Sequence, residues 1–280
     1  ETEKIDENAQ NNRTSERETP RKIGTRNVLS ILLLGTAGQV AWAVENSWFN
    51  TFVYDRITTD PAPIAWMVAV SAIVATLTTL FMGTVSDRTA SKWGKRKPYI
   101  VFGYILWGII TAIYPLVEWI KNVGVAVVMI IITDAVMTFF GSTANDAAFN
   151  AWLADIGDSG NRNRIDSISK VTIFLAQIIA LGAAGIIIDQ YGYFTFFYIL
   201  GGFVTITGLI SALLIESTPV EKSDVKKKDS TWREIGQLVN PELLRENRVL
   251  FLLFLNMMIA GVASQVYMPY LFTFIEYYVG

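Results

Sequence analysis

The 280 residues include no cysteine and no histidine. Without cysteine there is no disulfide framework, no thiolate metal site and no thiol nucleophile. Without histidine there is no imidazole switch, so any proton chemistry falls to carboxylates. Charge is scarce too: 17% of the residues are Asp, Glu, Lys or Arg, where a soluble domain carries about 25%. A net charge of −2 points to no polyanion, and so to no nucleic-acid partner. No Gly-x-Ser-x-Gly, phosphate loop or metal-ligand pair occurs, so nothing marks an enzyme or calls for a cofactor or metal.

Hydrophobic residues are abundant, at 52% of the chain, with a mean hydropathy of +0.38. They gather into stretches of about twenty residues almost free of Lys and Arg, the length that crosses a hydrocarbon core. In lipid every backbone amide must be paired within its own segment, so such stretches are helices. The pattern predicts an all-α, polytopic membrane bundle with seven spans: 28–53, 64–82, 99–120, 123–153, 168–188, 193–215 and 249–278. Residues 1–27 read as a polar, disordered cytoplasmic tail, and the start at Glu1 as a true beginning that is missing. Residues 28–215 form a six-helix unit, 216–248 a charged cytoplasmic linker, and 249–280 a seventh helix that opens a second set. In the linker, Trp232, Ile235, Leu238 and Val239 recur at helical spacing, as in a solvated loop ending in a helix or an amphipathic helix on the membrane face.

Basic residues set the orientation. With the first tail inside, 21 of the 23 Lys and Arg fall on cytoplasmic segments, leaving Arg56 and Lys121 outside.

Two stretches bracket the loop after span two: Gly83-Thr-Val-Ser-Asp87-Arg88, then Trp93-Gly94-Lys95-Arg96-Lys97-Pro98. Gly83 suits a close helix approach, Asp87 an ion pair with Arg162 or Arg164 of another loop, and Gly94 a left-handed turn. The basic cluster faces anionic lipid heads. This pattern resembles the loop signature of the major facilitator superfamily. Its second glycine comes six residues after Arg88 rather than two, and that longer form resembles the glycoside–pentoside–hexuronide cation symporters and the related sucrose- and maltose-type transporters. Gly38-Gln-Val-Ala-Trp-Ala-Val-Glu-Asn-Ser in span one is similar to the first helix of the sucrose-type group. Asn145-Asp146-Ala-Ala-Phe-Asn150-Ala-Trp-Leu-Ala-Asp155, with Arg162 and Arg164 beyond, resembles the end of helix four and its loop in these symporters. The resemblance implies a twelve-helix protein of two six-helix halves, with substrate bound between them and exposed to each side in turn. It also implies a partner half beyond this chain, a small-molecule substrate that by likeness is a sugar, a coupling proton or sodium, membrane lipids as surroundings, and the plasma (inner) membrane as location.

Polar residues inside spans need a reason, because an acid at mid-bilayer costs about 2.5–3.5 kcal/mol or more. Span one carries Gln39, Asn46 and Asn50 on one helical stripe, with Trp42 near it. Amides bond sugar hydroxyls and an indole stacks on the ring, but amides also bond neighbouring helices. Glu45 sits about 100° from that stripe, as a coupling carboxylate or an acid paired within the bundle. Span four carries Asp134, Asn145, Asp146 and Asn150. By resemblance, Asp146 matches an acid of the cation site in melibiose-type members, and Lys170 falls near a sugar-associated arginine. Span two has no acid, which departs from the melibiose-type sodium site and favours a proton. The sequence-based reading is a sugar or glycoside transporter with Gln39, Trp42, Asn46, Asn50, Asn150 and Lys170 on substrate. Asp146, Glu45 and Asp134 serve coupling, and Gly83, Asp87, Arg88, Gly94, Arg96 and Arg164 form a gating signature. The alternatives are a transporter of a non-sugar solute and a non-transporting sensor on the same fold.

Overall fold

The computed structural model describes residues 23–158, 160–216 and 248–275, which are helical with short connections and contain no strand. The first 22 residues and the amphipathic stretch of the linker lie outside the described residues. Among the described residues, six helices are long and apolar enough to cross a membrane: Thr25–Ile57, Ala62–Asp87, Lys97–Trp119, Val123–Ile156, Ala184–Leu214 and Phe251–Met268. The expected fifth span differs from these. It runs as helix Arg162–Ile178, widens into a π turn at Ile179–Ala183, and continues into the helix that starts at Ala184. Arg162, Arg164, Asp166 and Lys170 load its first turns with charge, so it lacks an apolar stretch of full length. Gly192 then breaks the chain with φ 80° and ψ 170°, a backbone open to glycine, and the sixth span begins at Tyr193.

Side-chain contacts fix how the spans run. Thr172 lies against Gly35 and Trp48 Nε1 donates to the Ala180 carbonyl at 2.9 Å, so spans one and five are parallel. Tyr193 donates to Asp55 at 2.6 Å, and Arg26 donates to the Leu213 carbonyl, so spans one and six are antiparallel. Spans three and six make the tightest pair. A Cβ on Gly108 would collide with the Gly201 backbone and Thr205, and one on Gly208 with Tyr104 and Ile105. Helices in lipid gain by such close backbone approach, since burial of apolar surface drives nothing there.

All turns of one kind therefore share an end. Arg26, Asp87, Arg96, Asp155, Arg162 and Ile215 lie at the basic end, and Arg56, Pro61, Glu118 and Asn122 at the opposite end. Aromatic rings fill the core near that opposite end: Tyr114 sits 4.4 Å from Phe49 and 5.4 Å from Phe197, and Phe52 sits 5.2 Å from Tyr193. Phe196 and Phe197 are buried and Tyr198 is exposed, so the sixth-span aromatics divide between packing and the outer surface. The outer surface is itself apolar, with Phe174, Ile178 and Leu213 each about 70% exposed, which only an apolar solvent tolerates at this density. The seventh helix meets the first span over Trp48–Phe52, and Tyr270 donates to the Pro61 carbonyl at 3.2 Å.

Candidate functional site

Spans one and four are not regular helices, and both irregularities face the same space. The first helix stops at Glu45. Ser47 leaves helical geometry with φ −128° and ψ −79°, and a new helix starts at Trp48. The Ser47 hydroxyl donates to the Ala43 carbonyl at 2.6 Å and so occupies an acceptor near the break. Span four is α-helical over Val123–Gly141, opens into a π turn over Ser142–Phe149, and resumes at Asn150. A π turn inserts an extra residue and re-aims the side chains it carries. Here it carries Asn145 and Asp146.

Between these spans and span two lies a cavity of about 380 Å³. Gln39, Trp42, Glu45, Asn46 and Asn50 line it from span one, Ser71 from span two, and Asp134, Thr138 and Asp146 from span four. Trp42 is held in place by Trp107, with ring centroids 5.0 Å apart. Glu45 accepts from the Thr138 hydroxyl at 3.1 Å. Asp134 accepts from the Ser71 hydroxyl. Asp146 accepts from the Asn145 amide at 3.1 Å, with the Trp42 indole and Ser142 hydroxyl close by. Asn145 in turn accepts from Tyr104 at 3.0 Å. No lysine or arginine lines the cavity among the described residues. It presents amides, one indole and three carboxyl groups.

Four of the six expected substrate residues, Gln39, Trp42, Asn46 and Asn50, line this space, and two do not. Asn150 lies one turn beyond Asp146, where its amide is spent on the Asp146 carbonyl at 3.2 Å. Lys170 is exposed on the fifth span, while Ile165, Thr172 and Ala176 of that span are the buried residues that pack inward. The stripe residues Gln39, Asn46 and Asn50 all line the cavity, and Glu45, on the same regular helix as Gln39, lines it too.

The loop signature needs two corrections. Asp87 pairs with Arg96 rather than with Arg162 or Arg164. Arg96 is the hub: it also donates to Asp155 at 3.0 Å and to the Ser86 hydroxyl at 2.6 Å. Its side chain is 9% exposed, and it ties the end of span two, the start of span three and the end of span four. Arg162 and Arg164 stand exposed one turn farther on. Gly83 makes no close approach, since a Cβ there would meet nothing within 4 Å among the described residues. Gly94 has φ 94°, the left-handed backbone. A second hollow, about 410 Å³, lies beside this loop at the basic end, with Trp93, Lys95, Lys97 and Trp152 in its wall.

The sequence model described as Major Facilitator Superfamily matches residues 28–279. The chain belongs to the major facilitator superfamily. No curated protein sequence matches it closely enough to count as a relative. As a major facilitator protein it is an integral, multi-pass membrane transporter of small molecules, the members of that superfamily being transporters and not enzymes. The polar cavity residue that sequence reasoning passed over in this transporter is Ser71, and behind the wall it missed Tyr104, which holds Asn145. Ser71 was the findable one, a hydroxyl in a span otherwise made of large apolar residues, Ala and Thr. The π turn that aims Asp146 has no sequence signal.

Proposed function

We propose that this major facilitator transporter carries a sugar or glycoside by alternating access, coupled to a proton or a cation. The observation that carries the reading is the shared cavity: three amides and the Trp42 indole stand beside Glu45, Asp134 and Asp146. Gln39 can bond hydroxyls in both directions, while Asn46 and Asn50 spend an N–H on the Trp42 and Asn46 carbonyls and keep their oxygens as acceptors; an indole face suits the C–H side of a ring, and a carboxyl group inside a membrane is retained for a purpose. In this reading Gln39, Trp42, Asn46 and Asn50 hold the solute. Asp146 is the coupling acid, with Glu45 and Asp134 as further coupling groups. Residues 28–215 are one half of the transporter, 216–248 a linker, and 249–280 the start of the other half. The basic end is cytoplasmic, in the plasma membrane, since it gathers the Lys and Arg residues. The Arg96 hub and Gly94 hold that end in one of its two states.

Uptake of a panel of radiolabelled glycosides by the full-length transporter, with and without proton or ion gradients, tests the reading. Saturable uptake of one glycoside, competed by its relatives, supports it. Three carboxyl groups with no lining base favour a second reading, a cationic solute. Uptake of organic cations with no competition by any glycoside would establish that second reading.

A further inference from the structure

We infer that Tyr104 is a positioning residue whose hydroxyl turns with the Asn145 amide and so links the charge on Asp146 to the Leu34 carbonyl of span one. The inference rests on the proposed coupling role of Asp146, though the link itself is measurable without solute.

One hydroxyl stands between two acceptors. Tyr104, on span three, is fully buried. Its oxygen lies 2.8 Å from the Leu34 carbonyl and 3.0 Å from Asn145 Oδ1. A phenol has one proton to give, so it serves one of the two at a time. Asn145 is 3% exposed, and its amide nitrogen donates to Asp146 Oδ1 at 3.1 Å. The chain Leu34–Tyr104–Asn145–Asp146 therefore runs from the backbone of span one, through spans three and four, to the cavity wall. Room for it is built in. A Cβ on Gly38, one turn beyond Leu34, would collide with both Asn145 Oδ1 and the Tyr104 hydroxyl.

The charge on Asp146 decides which way the chain runs. An ionised carboxylate only accepts, so the Asn145 N–H faces it, Oδ1 faces Tyr104, and the phenol proton goes to Asn145. That makes two bonds and leaves no phenol proton for Leu34. The structure holds the amide this way round. A protonated Asp146 donates instead. The amide then turns end for end, Oδ1 accepting from Asp146 and the N–H donating to the phenol oxygen. The phenol proton passes to the Leu34 carbonyl by rotation of the hydroxyl. That makes three bonds in one direction, and bonds in such a chain strengthen one another. No proton leaves Tyr104 or Asn145; the one proton gained is the one Asp146 binds. Leu34 sits in the same unbroken helix as Gln39 and Trp42. Span one is thus tied to span three when Asp146 is neutral and released when it is charged. Glu45 and Asp134 are the other acids lining the cavity, and its span-two wall carries no titratable group.

The test is infrared difference spectroscopy of purified full-length transporter without solute, between acid and alkaline buffer. Asp146→Asn identifies the protonated-carboxyl band of Asp146 among those of Glu45 and Asp134. Protein grown on ring-deuterated tyrosine identifies the tyrosine bands. One tyrosine band should titrate together with the Asp146 band, and it should be lost in Asp146→Asn, Tyr104→Phe and Asn145→Ala. Tyr104→Phe removes two bonds from the neutral state and one from the charged state. The midpoint of the Asp146 band should therefore fall by about 0.4–1 pH unit, a ~3–10-fold weaker hold on the proton. A tyrosine that only packs would move neither signal. Should Tyr104→Phe not fold, the wild-type tyrosine band and its loss in Asp146→Asn decide. A tyrosine spectrum that ignores Asp146, or an unshifted midpoint in Tyr104→Phe, overturns the inference alone. Absence of an Asp146 carboxyl band at every pH the protein withstands overturns it together with the coupling role it rests on.

Discussion

Replacing Arg96 with Leu keeps the bulk of the side chain and removes the guanidinium that three partners share. The Ser86 hydroxyl it contacts is fully buried, and that bond is lost without replacement by water. Hydrogen bonds to charged groups contribute about 1.5–3 kcal/mol. The two carboxylates are different. Asp87 is 59% exposed and Asp155 51% exposed on their side chains, so water solvates much of what they lose. Each pairing is then closer to a surface ion pair, about 0.5–1 kcal/mol. Together these give a loss of about 3 kcal/mol. For a chain of this size 1 kcal/mol moves the midpoint by about 2–4 °C, so Arg96→Leu should lower it by about 6–12 °C. The assay is thermal unfolding of the detergent-purified full-length protein, with Asp87→Asn, Asp155→Asn and their double variant alongside. Each single Asn should cost about a sixth to a third as much, and neither should add further loss on top of Arg96→Leu, because the shared partner is already gone. A fall of less than 2 °C for Arg96→Leu, or full additivity of Asp87→Asn with it, would refute the hub.

Other outcomes follow from the same geometry. Asp146→Asn keeps size and hydrogen bonding but cannot exchange a proton, so it should retain solute exchange down a gradient and lose concentrative uptake; retained uphill uptake removes Asp146 from coupling. Gly108→Leu places side-chain atoms into the Gly201 backbone and should cut the yield of folded protein sharply, overpacking costing about 1–3 kcal/mol or more, whereas Gly202→Ala, with open space at its Cβ, should leave yield unchanged. Gly94→Val forces a β-branched residue to φ 94° and should cost at least ~1–2 kcal/mol, read as a drop in thermal midpoint that Gly94→Asn largely restores. A cysteine at Asn122 should react with an impermeant thiol reagent from outside intact cells while one at Ser223 is protected; the protein supplies no background, having no cysteine of its own.

The membrane class and the helical architecture were legible because both follow from composition and run length. Spans two, three and four appear within a few residues of where hydropathy places them. Gly192 was readable as a turn between spans five and six for a local reason, since Asp189-Gln-Tyr-Gly192 interrupts two apolar runs. The site was only half legible. A cavity-facing amide can be guessed from its presence in lipid, but its direction depends on the register, and register is lost at Ser47 and across Ser142–Phe149. Glu45, off the expected stripe, lines the cavity as well, because span four meets it there through Thr138. Lys170, placed by likeness alone, falls on the exposed face of a regular helix. The partner of Asp87 was misjudged because sequence distance says nothing about which arginine folds back, and Arg96 is buried between the spans while Arg162 and Arg164 point outward.

The seventh helix leans on the bundle at Trp48–Phe52 and at Pro61, near the end opposite the basic loops. Among the described residues its contacts gather near that tip, and a helix held there forms a wedge, closed at the hinge and widening away from it. In that shape the two ends of the cavity are not equivalent to an approaching molecule. Gln39, about three turns nearer the mouth, is met before Asn50, which lies level with the hinge. A thiol reagent added from the basic side should therefore modify a cysteine at Gln39 faster than one at Asn50, and from the opposite side should reach neither until the wedge swings.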